Sequence, residues 1–386
     1  MSEITLNEVP RSAPPPQPER PAIAPPVSRH DVAGQWTLIW WRFRKHKLAM
    51  VGLLVTILIY VVAATPGFFA INDPAQQAAR QVYHPPHPIH FFDDGAFRPH
   101  FTAMRLTRDR VTLEPTFTPD PSRKIGIGLF VRGAEYDLLG LFRTNLHLIG
   151  SADPTVTFYP LGADRLGRCV WSRLAFGTQI SMSIGLVGVA LSLVIGILLG
   201  GISGYYGGRV DFAIQRVIEF VLSLPTIPIW LAMAAALPQS WPPTATYFMI
   251  TLILSLIGWA QLARVVRGRF LSLRTEDFVM AARLDGASEK RIIFRHMLPS
   301  FTSHIVASIT LAIPAMILAE TALSFLGLGL QPPVVSWGVL LREAQNIRSI
   351  ATAPWLFAPG VAVVIAVLAL NFLGDGLRDA SDPYDR

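Results

Sequence analysis

Met280-Ala-Ala-Arg-Leu-Asp-Gly286, followed by Met297-Leu-Pro299, sets a short polar device between two long apolar segments. Thr275 can cap a helix there, and Glu276 and Asp277 fall in its first turn, where negative charge suits the helix dipole. Phe278, Ala281, Ala282 and Asp285 recur at i, i+3, i+4 and i+7, on one face. The alanines make that face shallow enough for another backbone to approach, and Phe278 supplies a plug. Gly286 is placed to end the helix at C′. Ser288 can cap a second short helix, which Leu298-Pro299 hands into the next apolar run. A helix lying on lipid would carry larger apolar residues than alanine. The stretch therefore reads as a docking surface for a separate protein, tied at both ends to the apolar segments.

Those segments place the chain in a membrane. Of 386 residues, 51% are hydrophobic and 15% charged, against about 25% charged in a soluble domain. Mean hydropathy is +0.42. The net charge of +7 reads as positive-inside loops and not as nucleic-acid binding, because no basic patch is interleaved with aromatics in a soluble part. The single cysteine, Cys169, excludes an internal disulfide and a cysteine-based zinc cluster. His84, His87 and His90 lie in a proline-rich stretch and read as loop histidines, with no metal-ligand spacing.

Residues 1–33 read as a disordered, proline-rich cytoplasmic tail. Residues 34–70 hold an interfacial helix, Trp36 to Lys47 with tryptophans and basic residues, and a first span from about Leu48 to Ala64. The basic flank puts the N-terminus in the cytoplasm. Residues 71–170 form an extracytoplasmic segment with weak strand signals, the clearest being Lys124 to Arg132. The core follows at 171–376, with spans at about 178–203, 213–236, 245–265, 301–326 and 354–373. From Leu174 to Gly208 no residue is charged, which at about 1.5 Å per residue exceeds the roughly 30 Å hydrocarbon layer. Its recurring glycines at 185, 188, 196, 200 and 204 suit close helix packing. Pro225 and Pro228 kink the 213–236 span, and Pro314 lies inside the 301–326 one.

The loop at 264–300 carries Arg264, Arg267, Arg269, Arg274, Arg283, Lys290, Arg291 and Arg295, whereas 237–246 carries no lysine or arginine. The first is therefore cytoplasmic, as is the tail at 377–386. The fold expected is an all-α polytopic membrane protein of six transmembrane helices, both termini inside, with a small extracytoplasmic insert after helix 1. Glu320 interrupts a span, where a carboxylate is costly. It reads either as a pathway or gate residue or as a structural pair.

At this point the chain resembles the permease subunits of binding-protein-dependent ABC importers. Ala281-Ala282-x3-Gly286 with Leu298-Pro299 is similar to their coupling-helix signature, and the wider chain to the dipeptide/oligopeptide (DppC/OppC-like) type. Further matches are Lys47 to Gly52, Pro160-Leu-Gly-Ala-Asp-Arg-Leu-Gly-Arg168, Ser324 to Pro333 with Ser336-Trp-Gly338, and Asn371 to Asp379. The chain departs from the pattern at Met280, where a glutamate is usual, at Cys169, where an aspartate is usual, and in its longer 71–158 segment. The resemblance implies a type I importer bundle in the bacterial cytoplasmic membrane. It also implies a homologous second permease, two ATPase subunits and an extracytoplasmic solute-binding protein as partners. ATPase coupling falls on Asp277, Phe278, Met280, Ala281, Ala282, Asp285, Gly286, Leu298 and Pro299. The cargo implied is a peptide, an oligosaccharide or an opine-like compound.

The chain has no GxxxxGK[ST] phosphate loop, so it is expected to bind no cofactor, with ATP held by the partners, and to be no enzyme. Competing readings are a secondary transporter, which needs paired broken helices in matching halves, and a membrane enzyme. His304 and Ser308 at i, i+4 lack the third group an enzyme would need.

Overall fold

The computed structural model describes residues 34–93, 95–108, 115–238, 240–346 and 351–381. The expected tail at 1–33 and the chain from 382 lie outside the described residues. Helix α1 (Gln35–Phe43) is amphipathic, burying Ile39 and Phe43 against Ala49 and Ala380 while Trp36 and Trp40 stay exposed.

Five helical stretches are long and apolar enough to span a membrane. They are α2 (Lys47–Ala64), α4 (Val170–Tyr206), α7 (Pro243–Leu273), α11 (Thr302–Phe325) and α13 (Ala358–Ser381) with the turn that leads into it. Helices α5 (Gly208–Ser223) and α6 (Thr226–Ala235), bent by 83°, meet the same length and apolarity only when taken together. The span expected at 213–236 is thus broken and not one kinked rod. Pro225 has no N–H and pushes the preceding residue out of the helical region, and Leu224 is extended at ψ 136°.

The glycine stripe of α4 serves two neighbours. Gly185 and Gly188 lie under Ile317 and Met316 of α11, whereas Gly196, Gly200 and Gly204 face α7. At Gly200 a Cβ would collide with the Ala263 carbonyl, so only glycine lets the backbones meet there. Span α2 closes on the last span. A Cβ at Gly52 would stand 2.6 Å from the Ala369 carbonyl oxygen, and Gly376 abuts Ala49.

The membrane part is helical as expected, but the insert is a four-stranded antiparallel sheet in the order β1-β2-β3-β4. Its strands are β1 (Ile89–Asp93), β2 (Ala96–Arg108), β3 (Pro115–Leu138) and β4 (Phe142–Ser151). The first half of β3 pairs with β2 and its second half with β4. Lys124 to Arg132 lies where β3 passes from one partner to the other. The sheet buries Phe101, Ala103 and Ile125 against Ile71 and Phe158. A short helix, α3 (Pro66–Phe69), joins it to α2.

His84 and His87 sit in this insert, packed ring to ring at 4.5 Å and walled by Phe117, Phe101 and Tyr159. Burial pushes His84 down to about 4. Burial, together with the neighbouring His84, pushes His87 down to about 3. Both are therefore neutral when folded. The unfolded chain begins to take up their protons below about 6.5, while the folded chain refuses them until about 4 and 3. Stability is complete above pH 6.5 and falls between there and pH 3, by up to about 1.4 kcal/mol per pH unit per histidine. Hydrogen exchange at 84–103 and 158–163 is expected to lose protection steeply from pH 7 to pH 4.5. Flat protection over that range, corrected for intrinsic rates, contradicts the buried neutral pair.

Candidate functional site

The loop after α7 begins later than its composition suggests. Helix α7 runs on to Leu273 because Val266 and Phe270 continue its buried face. Thr275 does not cap the next helix. Its hydroxyl donates to the Ser272 carbonyl at 3.0 Å, and Glu276 holds the cap position of α8 (Asp277–Leu284) without a side-chain bond. The Glu276 carbonyl takes the Val279 and Met280 amides instead.

The other end of α8 is as its sequence implies. Gly286 adopts φ +74°. Its amide donates to the Arg283 carbonyl and the Ala287 amide to the Ala282 carbonyl, both at 3.0 Å. This is the double closure of a Schellman cap, which needs a left-handed residue at its corner. Ser288 precedes the next turn, α9 (Glu289–Arg291), in extended conformation but without a side-chain cap. A π-helical segment at Ile292–Met297 then leads through α10 (Leu298–Ser300) into α11.

One expectation about the faces is corrected. Ala282 turns inward with Val279, and both pack with Ile292, Met297, Tyr205 and Phe270. Its place at the edge of the face, next to the Val279 stripe, decides this: the bundle offers apolar cover on that side. The outward face carries Asp277, Phe278, Met280, Ala281, Leu284 and Asp285. Leu284 is 86% exposed, and Phe294 of the π-helical segment is exposed beside this loop. Of the final pair, Leu298 is half-buried and Pro299 exposed.

The loop is braced from below. The Arg283 guanidinium lies over the Tyr205 ring, 5.3 Å from its centroid, and the Tyr206 hydroxyl donates to Glu289 at 2.8 Å. Arg267 of α7 holds Asp211 of α5 in a two-pronged pair at 2.5 and 2.6 Å. Ser203 of α4 donates to the same carboxylate at 2.5 Å. Three helices are thus fixed where the loop attaches, a feature not picked out in the sequence. His304 meets Arg269 at 3.0 Å, a helix-to-helix contact.

At the opposite end Glu320 is fully buried. It accepts from Ser324 at 2.7 Å, Ser336 at 2.8 Å and Ser181 at 3.3 Å. Ser336 also caps α12 (Trp337–Glu343) by accepting from the Val339 amide. Ser181 accepts from the Trp337 amide at 3.1 Å. The carboxylate thus stitches α4, α11 and α12 together and faces no open space in this chain.

An ion cluster beside it also escaped sequence reasoning. Arg173 donates to Asp164 at 2.5 Å and to Glu343 at 2.5 and 3.0 Å. Arg168 donates to Asp164 at 2.7 Å and to Glu343 at 3.1 Å. Asp164 and Arg168 belong to the Pro160–Arg168 motif, and that was the available signal. Cys169, at the cap position of α4, is buried. A cavity of about 300 Å³ opens between Ala234, Leu237, Trp241 and the Gly327–Val334 loop.

Residues 196–384 match the family described as the binding-protein-dependent transport system inner membrane component. Residues 34–86 match the N-terminal transmembrane domain of oligopeptide transport permease C. The chain is 29% identical over 346 residues to the dipeptide transport system permease protein DppC of Bacillus subtilis, covering 89% of this chain and 84% of that one. It is 38% identical over 238 residues to the oligopeptide transport system permease protein OppC of Haemophilus influenzae, covering 61% and 74%. Among solved structures, the MetNI methionine ABC transporter in an inward-facing form is similar at TM-score 0.42 and 19% identity, covering 54% of this chain and 96% of that one.

Proposed function

The chain belongs to the binding-protein-dependent transport system inner membrane component family, and from that membership we propose that it forms half of a peptide pathway driven through α8. It is a multi-pass membrane permease subunit of the ABC importer type. The peptide assignment is supported by relatives whose names are dipeptide and oligopeptide permeases. An oligosaccharide or opine-like cargo is the alternative to be tested against it.

One observation carries the mechanism: an outward Phe278, Met280 and Leu284 face on a helix locked at its C-terminus by Gly286 and packed inward through Val279 and Ala282. A short helix fixed on both sides passes a rigid-body shift to α7 and α11, whereas a flexible loop would absorb it. Basic residues around α8 favour the cytoplasmic side for it and for both termini. A pair of ATPase subunits is the partner on that side. The sheet then lies outside the cell, where a solute-binding protein delivers cargo, and a homologous second permease completes the pathway. The sequence holds no phosphate loop of its own, which favours ATP binding on the partners. Glu320, held by three serines, acts in this reading as a lock on α12.

A secondary transporter would pair broken helices in matching halves. Among the described residues one bent pair occurs, α5 with α6.

The test is reconstitution with the partner permease, the ATPases and the solute-binding protein in liposomes. Uptake of a short peptide is expected to require ATP and the binding protein. Uptake without ATPases would defeat the coupling. A binding protein that takes an oligosaccharide or opine and ignores peptides would overturn the cargo alone.

A further inference from the structure

The β3–β4 hairpin ends in an unusual turn. The Leu141 amide donates to the Leu138 carbonyl at 3.0 Å, and Leu139 and Gly140 both have positive φ, +55° and +69°. A turn of this kind ordinarily takes Asn-Gly or Asp-Gly. Leucine is disfavoured at its first corner, yet it stands there and carries a large apolar side chain to the tip. Leu139, Leu141 and Phe142 are all exposed, Leu141 by 76%. Exposed apolar residues gathered at one tip mark a binding surface.

The direction of the hairpin identifies what covers it. Along β4, Ile149 packs with Ile71 beyond α3. His147 Nδ1 then faces the carbonyls of Ala70 at 2.7 Å and Gly67 at 2.9 Å. Further towards the turn, Tyr136, registered with Thr144, lays its ring on Gly67. The strand thus runs back along α3, from its far end towards the end of α2, and the turn projects past Gly67 on that course. Near α3, exposed Phe130 lies 6.3 Å from Phe68, ring to ring. Arg143, directly behind the tip, is exposed beside Asp137. α2, whose end adjoins α3, carries exposed apolar Leu58 and Val61, as lipid-facing residues of a span are.

We propose that the Leu138–Phe142 turn dips into the bilayer leaflet nearest the sheet, seating Leu139, Leu141 and Phe142 at the boundary of headgroups and acyl chains with Arg143 among the headgroups. The proposal rests on the membrane reading of α2. An apolar tip with a basic neighbour has the composition of interfacial anchors. The anchor fixes the tilt of the sheet relative to the membrane and hence the surface that the sheet offers beyond it.

The test uses the full chain in lipid nanodiscs, labelled with an environment-sensitive fluorophore at Leu141→Cys. Cys169 is buried, and the unsubstituted chain reports its background. The label is expected to be quenched about twofold or more by a lipid with a nitroxide high on the acyl chain, as for a group about 5–10 Å below the surface, and to be shielded from aqueous iodide. Thr118→Cys, exposed on the far half of β3, should be quenched by iodide alone. Leu58→Cys, on α2, should be quenched by a nitroxide deep in the acyl chain. If the label at 141 behaves like that at 118 while 58 is quenched, the anchor is refuted and the span stands. If 58 is also unquenched, the membrane reading of α2 fails, and the proposal with it. Shielding at 141 that appears only after the second permease or the solute-binding protein is added assigns the tip to a protein contact and overturns the lipid anchor.

Discussion

Ala282→Trp is expected to abolish coupled uptake while the bundle remains folded and the ATPases continue to hydrolyse ATP. Ala282 is wedged between α8 and the helix ends, against Val279, Ile292 and Met297, so an indole there has no space. Overpacking a site of this kind costs about 1–3 kcal/mol. The least expensive relief is for α8 to lift, because its outer face is bare. A docked population lowered by that energy falls by about fivefold to 150-fold. Gly286→Val attacks the same device from its end. A β-branched residue at φ +74° is strained, and the cap that orients α9 opens. Leu54→Ile, on the exposed face of α2 away from this loop, is the control and should change little. The measurement is ATP-driven uptake in proteoliposomes beside ATP hydrolysis in the same vesicles. Uptake within twofold of the unsubstituted chain in both variants would remove α8 from the coupling path.

Arg173→Met should be the most destabilising single change at the other end of the bundle. Arg173 is 1% exposed and bonds both Asp164 and Glu343. Without it those carboxylates share Arg168 alone, in a site that water scarcely reaches. Breaking a buried pair from one side costs about 3–5 kcal/mol. The apparent melting temperature in detergent should fall sharply, and the join of α12 to the Pro160–Arg168 segment should open. Glu343→Gln keeps the shape and one acceptor and should cost less. Adding Glu343→Leu to Arg173→Met removes an orphaned charge and should restore part of the loss. An Arg173→Met chain as stable as the parent would show that the cluster contributes nothing to the fold.

The spans and the short capped helix α8 were legible in the sequence because each is written in local terms. Leu174 to Gly208 is uncharged for longer than a membrane is thick, and Gly286 sits where only a left-handed cap would use it. The fold around them was not local. Asp164 and Glu343 lie far apart in the chain, and no periodicity links them. The Ala282 side of α8 was decided by the bundle beneath it. The break at Pro225 was visible, but its 83° angle depends on where α5 and α6 find cover. The strands were obscured for another reason. β3 contains Pro115, Pro119 and Pro121 and has many exposed residues, so it lacks the alternation that a half-buried strand shows. Its central stretch, where it exchanges β2 for β4, carried the clearest of the weak strand signals.

The seam between α2 and α13 bears on how the molecule is made. Gly52 meets the backbone at Ala369, and Ala49 meets Gly376, so the first span finds this neighbour only when the last has left the ribosome. At about 5–20 residues per second the interval is on the order of tens of seconds. Throughout it, the faces of α2 destined for that seam stand against lipid or a helper protein. Among the described spans, α2 is thus clasped by α13 only late in synthesis, and a nascent chain cut before residue 369 holds α2 without that support.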